Sequence, residues 1–238
     1  NVNPIKYVGA RPVYVDIEPD TFNMNVNLLE EKITNKTKVI IAQHTYGYPC
    51  EMDTIMKIAE SNSFCVLEDC CLALGSKYKG RMVGTFGRAG YFSFQWNKPY
   101  TTGLGGMVIT SNRQLAERIE SLAASEMCPP SGREVFMLRM QLLIYRLLIY
   151  PRTTALAQSL FRYLTKKGAV VGSSSTGEFE PVKADDFFKS ISKMQAHSGI
   201  RQLGKIEQNI AHRRKMAQLY DELLAAKNFQ PSKDGRDW

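Results

Sequence analysis

The sequence predicts an α/β protein built on a mostly parallel β-sheet, followed by helices and the start of a smaller domain. Three observations lead there. Strand-length runs such as Lys38-Val39-Ile40-Ile41-Ala42 and Phe64-Cys65-Val66-Leu67 are continuously apolar rather than alternating, as strands are when both faces of a sheet are covered. Segments with apolar residues at helical spacing separate those runs, the order that parallel crossovers produce. His44, Asp69 and Lys98 each fall just after a strand-like run, on the rim where open parallel sheets bind ligands.

Each element has its own reason. Pro12-Val13-Tyr14-Val15-Asp16-Ile17 is rich in β-branched and aromatic residues and is expected as a strand. Val26 to Ile33 is expected as a helix, with Asn25 or Asn27 accepting from its first free amides. Lys38 to Ala42 is the next strand. Met52 to Glu60 sets Met52, Ile55, Met56, Ile58 and Ala59 at helical spacing. Phe64 to Leu67 is a strand, and so is Tyr91-Phe92-Ser93-Phe94-Gln95-Trp96. Lys98 closes that aromatic run and is followed by Pro99 and the turn Thr101-Thr102-Gly103-Leu104-Gly105-Gly106. Met107 to Thr110 reads as one more strand and Arg113 to Ala124 as a helix.

The composition then changes. Cys128-Pro129-Pro130-Ser131-Gly132 is a breaker. Val135 to Tyr150 is an almost wholly apolar helix interrupted by Arg139, Gln141 and Arg146, too short and too charged to cross a bilayer. It is expected to lie in the core or at a subunit contact, with peripheral attachment to a membrane surface as the alternative. Lys166 to Glu180, with its Gly and Ser cluster, reads as a loop. Asp185 to Leu203 and Lys205 to Leu224 read as helices. The expected division is residues 1–125 as a large domain, 126–184 as an apolar helical insertion with its loop, and 185–238 as the helical start of a small domain.

Composition narrows the function classes. A chain of 238 residues can bury a substantial core, and 44% hydrophobic with 23% charged residues argues against global disorder. The five cysteines are odd in number, contain no CxxC pair for a metal, and suit a reducing cytoplasm. No metal is expected. The net charge of +8 is uneven: residues 1–132 carry 13 basic and 13 acidic side chains, and residues 133–238 carry 18 and 10. Such an excess suits solvated helix faces, an anionic substrate such as a nucleotide sugar, or an acidic membrane surface. Spread along helices without a recognised binding motif, it gives no reason to expect nucleic acid. The chain begins without methionine and ends at Asp237-Trp238, so a fragment is expected.

Two residues carry chemistry. A lysine held against apolar walls, as Lys98 is expected to be, has a lowered pKa and a usable neutral amine. Such amines condense with carbonyl compounds, pyridoxal phosphate among them. Asp69, at a strand end, could cap the next helix or stand beside a pyridine nitrogen and keep it protonated. Either residue alone is ambiguous; together they form a working pair.

The chain resembles the DegT/DnrJ/StrS family of sugar aminotransferases, a branch of the fold-type-I pyridoxal phosphate enzymes. The matching stretches are Ile5 to Ala10 with Pro12 to Ile17, His44-Thr45-Tyr46-Gly47, Glu68-Asp69, Gly75 to Gly84, Phe92-Ser93-Phe94 with Lys98, and Gly105-Gly106-Met107-Val108. A weaker match runs from Met194-Gln195 through Gly199 to Tyr220. The resemblance implies the fold-type-I large domain and pyridoxal 5'-phosphate as cofactor. It also implies a nucleotide-linked keto-sugar as acceptor, glutamate or glutamine as donor, and a homodimer. Carried over by position, Lys98 holds the cofactor and moves the proton, Asp69 pairs with the pyridine nitrogen, and Ser93 binds the phosphate. Cys71 packs near the ring, and His44 and Tyr46 line the site. Three departures stand out: Leu72 where the family has glutamine, Leu104 where it has glutamate, and Phe188 with Ser190 where it has asparagine and arginine. A dehydratase of this family would carry histidine in place of Lys98. A catalytically weak scaffold or regulator at the membrane is the alternative of a different class.

Overall fold

The computed structural model describes residues 2–148, 150, 152–166 and 188–227. In chain order the elements are α1 (Val2–Tyr7), β1 (Val39–Gln43), α2 (Met52–Ser61), β2 (Cys65–Asp69), β3 (Lys77–Tyr78), β4 (Arg81–Met82), β5 (Ala89–Ser93) and β6 (Gly106–Ile109). Five helices complete the order: α3 (Arg113–Glu126), α4 (Gly132–Leu148), α5 (Thr154–Lys166), α6 (Lys193–Leu203) and α7 (Ile206–Ala225). The main sheet is ordered β1-β2-β5-β6, and β3 with β4 forms a small separate hairpin. Strands β1, β2 and β5 are parallel, so their carboxyl ends share one rim, while β6 closes the order antiparallel. Register sets Gln43 beside Asp69 and Asp69 beside Tyr91.

The core lies between this sheet and α2. Met52, Ile55, Ile58 and Ala59 of α2 are buried with Ile40, Ala42 and Val66 of the strands. Removing each large side chain from water contributes roughly 1.5–3 kcal/mol.

Several expectations change in the structure. Pro12 to Ile17 is not a strand; Ile17 alone bridges to Met24, and Val13 and Tyr14 are exposed. The run has strand composition, but among the described residues no neighbouring strand pairs with it. Val26 to Ile33 is not an α-helix but two 3-10 turns, Val26–Leu28 and Glu30–Lys32, which bury Val26 and Leu29 together. Asn25 does cap the first, its side chain accepting from the Asn27 amide. β5 starts earlier than Tyr91 and stops at Ser93, because the backbone of Phe94 turns to pair with Gly105 and Thr102. α6 begins at Lys193, where Ser192 and Gln195 form a reciprocal capping box. Helices α1 and α5 fall where no element was expected. Of the loop expected over 166–180, residues 167–180 lie outside the described residues.

Two segments distant in sequence meet at Cys128. Cys128 and Lys189 bridge in parallel, with the Cys128 amide donating to the Phe188 carbonyl at 2.9 Å and the Ser190 amide to the Cys128 carbonyl at 3.0 Å. Lys189 also pairs with Glu134 at the start of α4.

Behind the rim, Glu68 is fully buried and saturated. Oε1 accepts from the amides of Phe86 and Gly87 at 2.7 Å each, and Oε2 from the Gly84 amide at 2.6 Å and His44 Nε2 at 3.2 Å. The loop 84–87 can come this close because Gly90, below it in β5, has no side chain; a Cβ there would lie 2.5 Å from Gly84 Cα. Burial works against ionisation of Glu68. Hydrogen bonds from His44, Gly87 and Gly84 outweigh it and hold the carboxyl below the usual carboxylate range.

A depressed folded-state pKa contributes stability above the ordinary carboxylate range, and that stability is lost as pH falls through it. Glu68→Ala should lower unfolding free energy by about 3–5 kcal/mol by orphaning these donors. Denaturant titrations at about pH 7 and about pH 3 should show the difference between variant and native protein shrinking at the lower pH.

Candidate functional site

The shared rim of β1, β2 and β5 gathers the chemically useful side chains. Asp69 ends β2 and is 7% exposed. Its Oδ1 accepts from the Cys71 amide at 2.9 Å, so it also shapes the turn after the strand. Backbone bonds continue past the ladder: the His44 amide donates to the Asp69 carbonyl at 3.1 Å and the Cys70 amide to the Tyr91 carbonyl at 2.9 Å. The three strand tips are therefore laced together where the side chains project.

Lys98 is half-buried in the turn beyond β5, its amide donating to the Gln95 carbonyl at 3.0 Å. Cys71, two residues after Asp69, feels both charges. Burial pushes its thiol up to about 12, a hydrogen bond with Asp69 and that carboxylate's charge push the same way, and the Lys98 charge pulls against them. Asp69 at the end of β2 and Lys98 in the turn beyond β5 thus act on the same thiol in opposite directions. Tyr91 responds to the same carboxylate, its hydroxyl pushed up by burial first and by Asp69 next. Ser93 ends β5, half-buried, with Gly106 as its neighbour in β6.

His44 is placed differently from the cofactor contact expected of it. It is 1% exposed, Nδ1 accepts from the Cys50 amide at 3.1 Å, and Nε2 faces Glu68. An accepting Nδ1 leaves the proton on Nε2, so the ring donates to the carboxylate. With both nitrogens engaged, His44 supports Glu68 from behind the rim and presents no polar atom to it. Tyr46, two residues on, is 77% exposed with a left-handed φ of 55°.

His44, Glu68 and Cys70 have ligand atoms within 4.8 Å of one another. Glu68 and His44 of that cluster are already hydrogen-bonded to backbone amides.

The turn bearing Lys98 is gripped from two sides. On one, Gln202 of α6 accepts from the Thr101 amide at 3.2 Å and donates to the Thr101 carbonyl. Gln195 donates to the Leu104 carbonyl at 2.8 Å, and Asn209 of α7 donates to the Pro99 carbonyl at 3.2 Å. Gly199 lets α6 approach, since a Cβ there would lie 2.5 Å from the Tyr100 hydroxyl. On the other side Trp96 packs against Tyr145 of α4 and Phe161 of α5, with ring centroids 5.8 and 6.5 Å away. Sequence reasoning missed the three amides. Their signal was spacing: Gln195 and Gln202 stand seven residues apart on one side of α6, and Asn209 of α7 follows at the same interval.

Comparisons with known proteins agree on one family. The sequence model of the DegT/DnrJ/EryC1/StrS aminotransferase family matches residues 1–138. GDP-perosamine synthase of Escherichia coli O157:H7 is 52% identical over 118 residues, covering 50% of this chain and 32% of that protein. L-glutamine:2-deoxy-scyllo-inosose aminotransferase of Streptomyces paromomycinus is 31% identical over 224 residues, covering 94% of this chain and 44% of that protein. The chain therefore spans less than half the length of these relatives. A solved structure, a putative sugar aminotransferase from Streptococcus pneumoniae in its PMP-form, aligns with a TM-score of 0.64 at 25% identity. That alignment covers 93% of this chain and 51% of the other.

Because Asp69 raises and Lys98 lowers the Cys71 thiol, the two substitutions should act oppositely on its reactivity. Asp69→Asn should speed alkylation of Cys71 by iodoacetamide, and Lys98→Met should slow it. Fragment-ion tandem mass spectrometry separates Cys71 from the adjacent Cys70 and from the other three cysteines; equal Cys71 rates in all three proteins would contradict the placement.

Proposed function

The chain belongs to the DegT/DnrJ/EryC1/StrS aminotransferase family, and we propose that the protein is a pyridoxal phosphate-dependent transaminase. It would move an amino group from glutamate or glutamine to a nucleotide-linked keto-sugar, for polysaccharide, lipopolysaccharide or related glycan synthesis. The observation that carries this reading is that Asp69 ends β2 at the shared rim while Lys98 stands in the turn that follows the adjacent strand β5. A scaffold needs neither.

The residues present fit the cofactor. A buried carboxylate ends β2, a hydroxyl ends the adjacent β5, and a primary amine stands in the turn beyond β5. Asp69 would pair with the pyridine nitrogen and hold a proton there; Ser93 would take the phosphate; Lys98 would hold the cofactor through Nζ. When bound, the cofactor supplies an electron sink for the substrate carbon that loses its proton. Lys98 Nζ, once released, is the base that carries that proton. Cys71, kept as a neutral thiol, fills the space beside these groups without adding charge. A nucleotide diphosphate suits the basic excess of residues 133–238. Pairing into a homodimer belongs to the same proposal and rests on the family resemblance.

The departures bear on the alternative. Leu104 replaces a family glutamate, yet its backbone carbonyl is what Gln195 and Thr102 grip, so the hold on the turn does not depend on that side chain. Lys98 itself opposes the dehydratase reading, which requires histidine at that position.

Purified with pyridoxal phosphate, the protein is expected to be yellow and to lose that colour when glutamate is added. Borohydride should fix the cofactor to Lys98, and Lys98→Ala should abolish the fixation and lower transamination by roughly 10²–10⁴-fold. A reducible link that persists in Lys98→Ala would refute the assignment.

A further inference from the structure

We propose that the pair α4 and α5 attaches the protein to an anionic membrane surface, lying in the headgroup region without crossing the bilayer. The inference stands apart from the transaminase reading and rests on how two apolar helices divide their faces. Leu138 and Gln141 of α4 are buried, and Tyr145 lies against Trp96. Phe136, Met140, Leu143, Ile144 and Leu147 of the same helix are exposed. At about 100° per residue these five fall within an arc of roughly 100°, opposite the packed side chains. α5 repeats the arrangement, with Phe161 turned to Trp96 and Leu156, Leu160 and Tyr163 exposed. Each helix is thus apolar on two faces, one used inside the protein and one bare.

Charge identifies the occupant. Residues 133–166 hold six basic side chains and a single acid, Glu134, whose carboxylate is already paired with Lys189. The exposed Arg133 lies in line with the apolar arc of α4 and the exposed Arg139 at its edge. Apolar side chains flanked by arginines match the layering of acyl chains beneath anionic headgroups. A second copy would bring like charge against like charge. Crossing is ruled against by length, since no described helix is long and apolar enough to span a membrane. The bridge between Cys128 and Lys189 holds the base of the excursion closed.

The test is sedimentation of the full-length protein with phosphatidylcholine vesicles, with and without phosphatidylglycerol. Binding is expected with the anionic vesicles and should weaken with salt. Leu143→Glu with Leu147→Glu should abolish it. Arg133→Ala with Arg139→Ala, both exposed and safe for folding, should weaken it about thirtyfold, at roughly 1 kcal/mol per basic side chain near a charged surface. Circular dichroism checks that both variants stay folded. A protein left in the supernatant with both vesicle types overturns the proposal. So does vesicle binding that survives the Leu143 and Leu147 substitutions. Self-association lost in that variant, without vesicle binding, assigns the face to a second copy and overturns it equally.

Discussion

A buried carboxylate organises the part of the chain that matters most. Glu68 joins the end of β1, through His44, to the loop 84–87 that leads into β5. No ladder bond could do this, because the loop crosses over the strand rather than running beside it. Neutralising a charge inside the core takes several donors at once, and here they are three backbone amides and one imidazole. The neighbouring residue, Asp69, inherits its position from that arrangement. Alternation along β2 sends Glu68 inward, and the strand's end brings Asp69 to the rim.

The other half of the rim is held by different means. The turn after β5 pairs with itself through Phe94, Thr102 and Gly105, and the carbonyls of Pro99, Thr101 and Leu104 are taken by amide side chains from α6 and α7. Aromatic packing from α4 and α5 meets Trp96 from the opposite side. Lys98 thus stands in a segment whose backbone is fixed by elements distant in sequence.

Much of the sheet was legible because its strands are buried on both faces, and continuous apolar runs at Val39 to Ala42 and Cys65 to Leu67 need no tertiary knowledge to recognise. The rim residues were legible for a related reason, since a polar residue after such a run has few places to go. What escaped the reading depended on partners. The run from Pro12 to Ile17 has strand composition, and composition cannot report whether a neighbour exists to pair with it. The aromatic run from Tyr91 to Trp96 gave no hint that Phe94 would leave the sheet, because the turn that captures it lies ten residues on. His44 looked like a site residue by position, and only the placement of Cys50 and Glu68 shows both ring nitrogens occupied.

Cys71 has a consequence for the chemistry of its neighbourhood. Thiolates add readily to aldehydes and oxidise to sulfenic acid, whereas protonated thiols are slow at both. With its ionisation held up to about 12, about one molecule in a hundred thousand carries the sulfur anion at neutral pH. Burial first, and then the carboxylate that shapes this corner, keep the sulfur protonated.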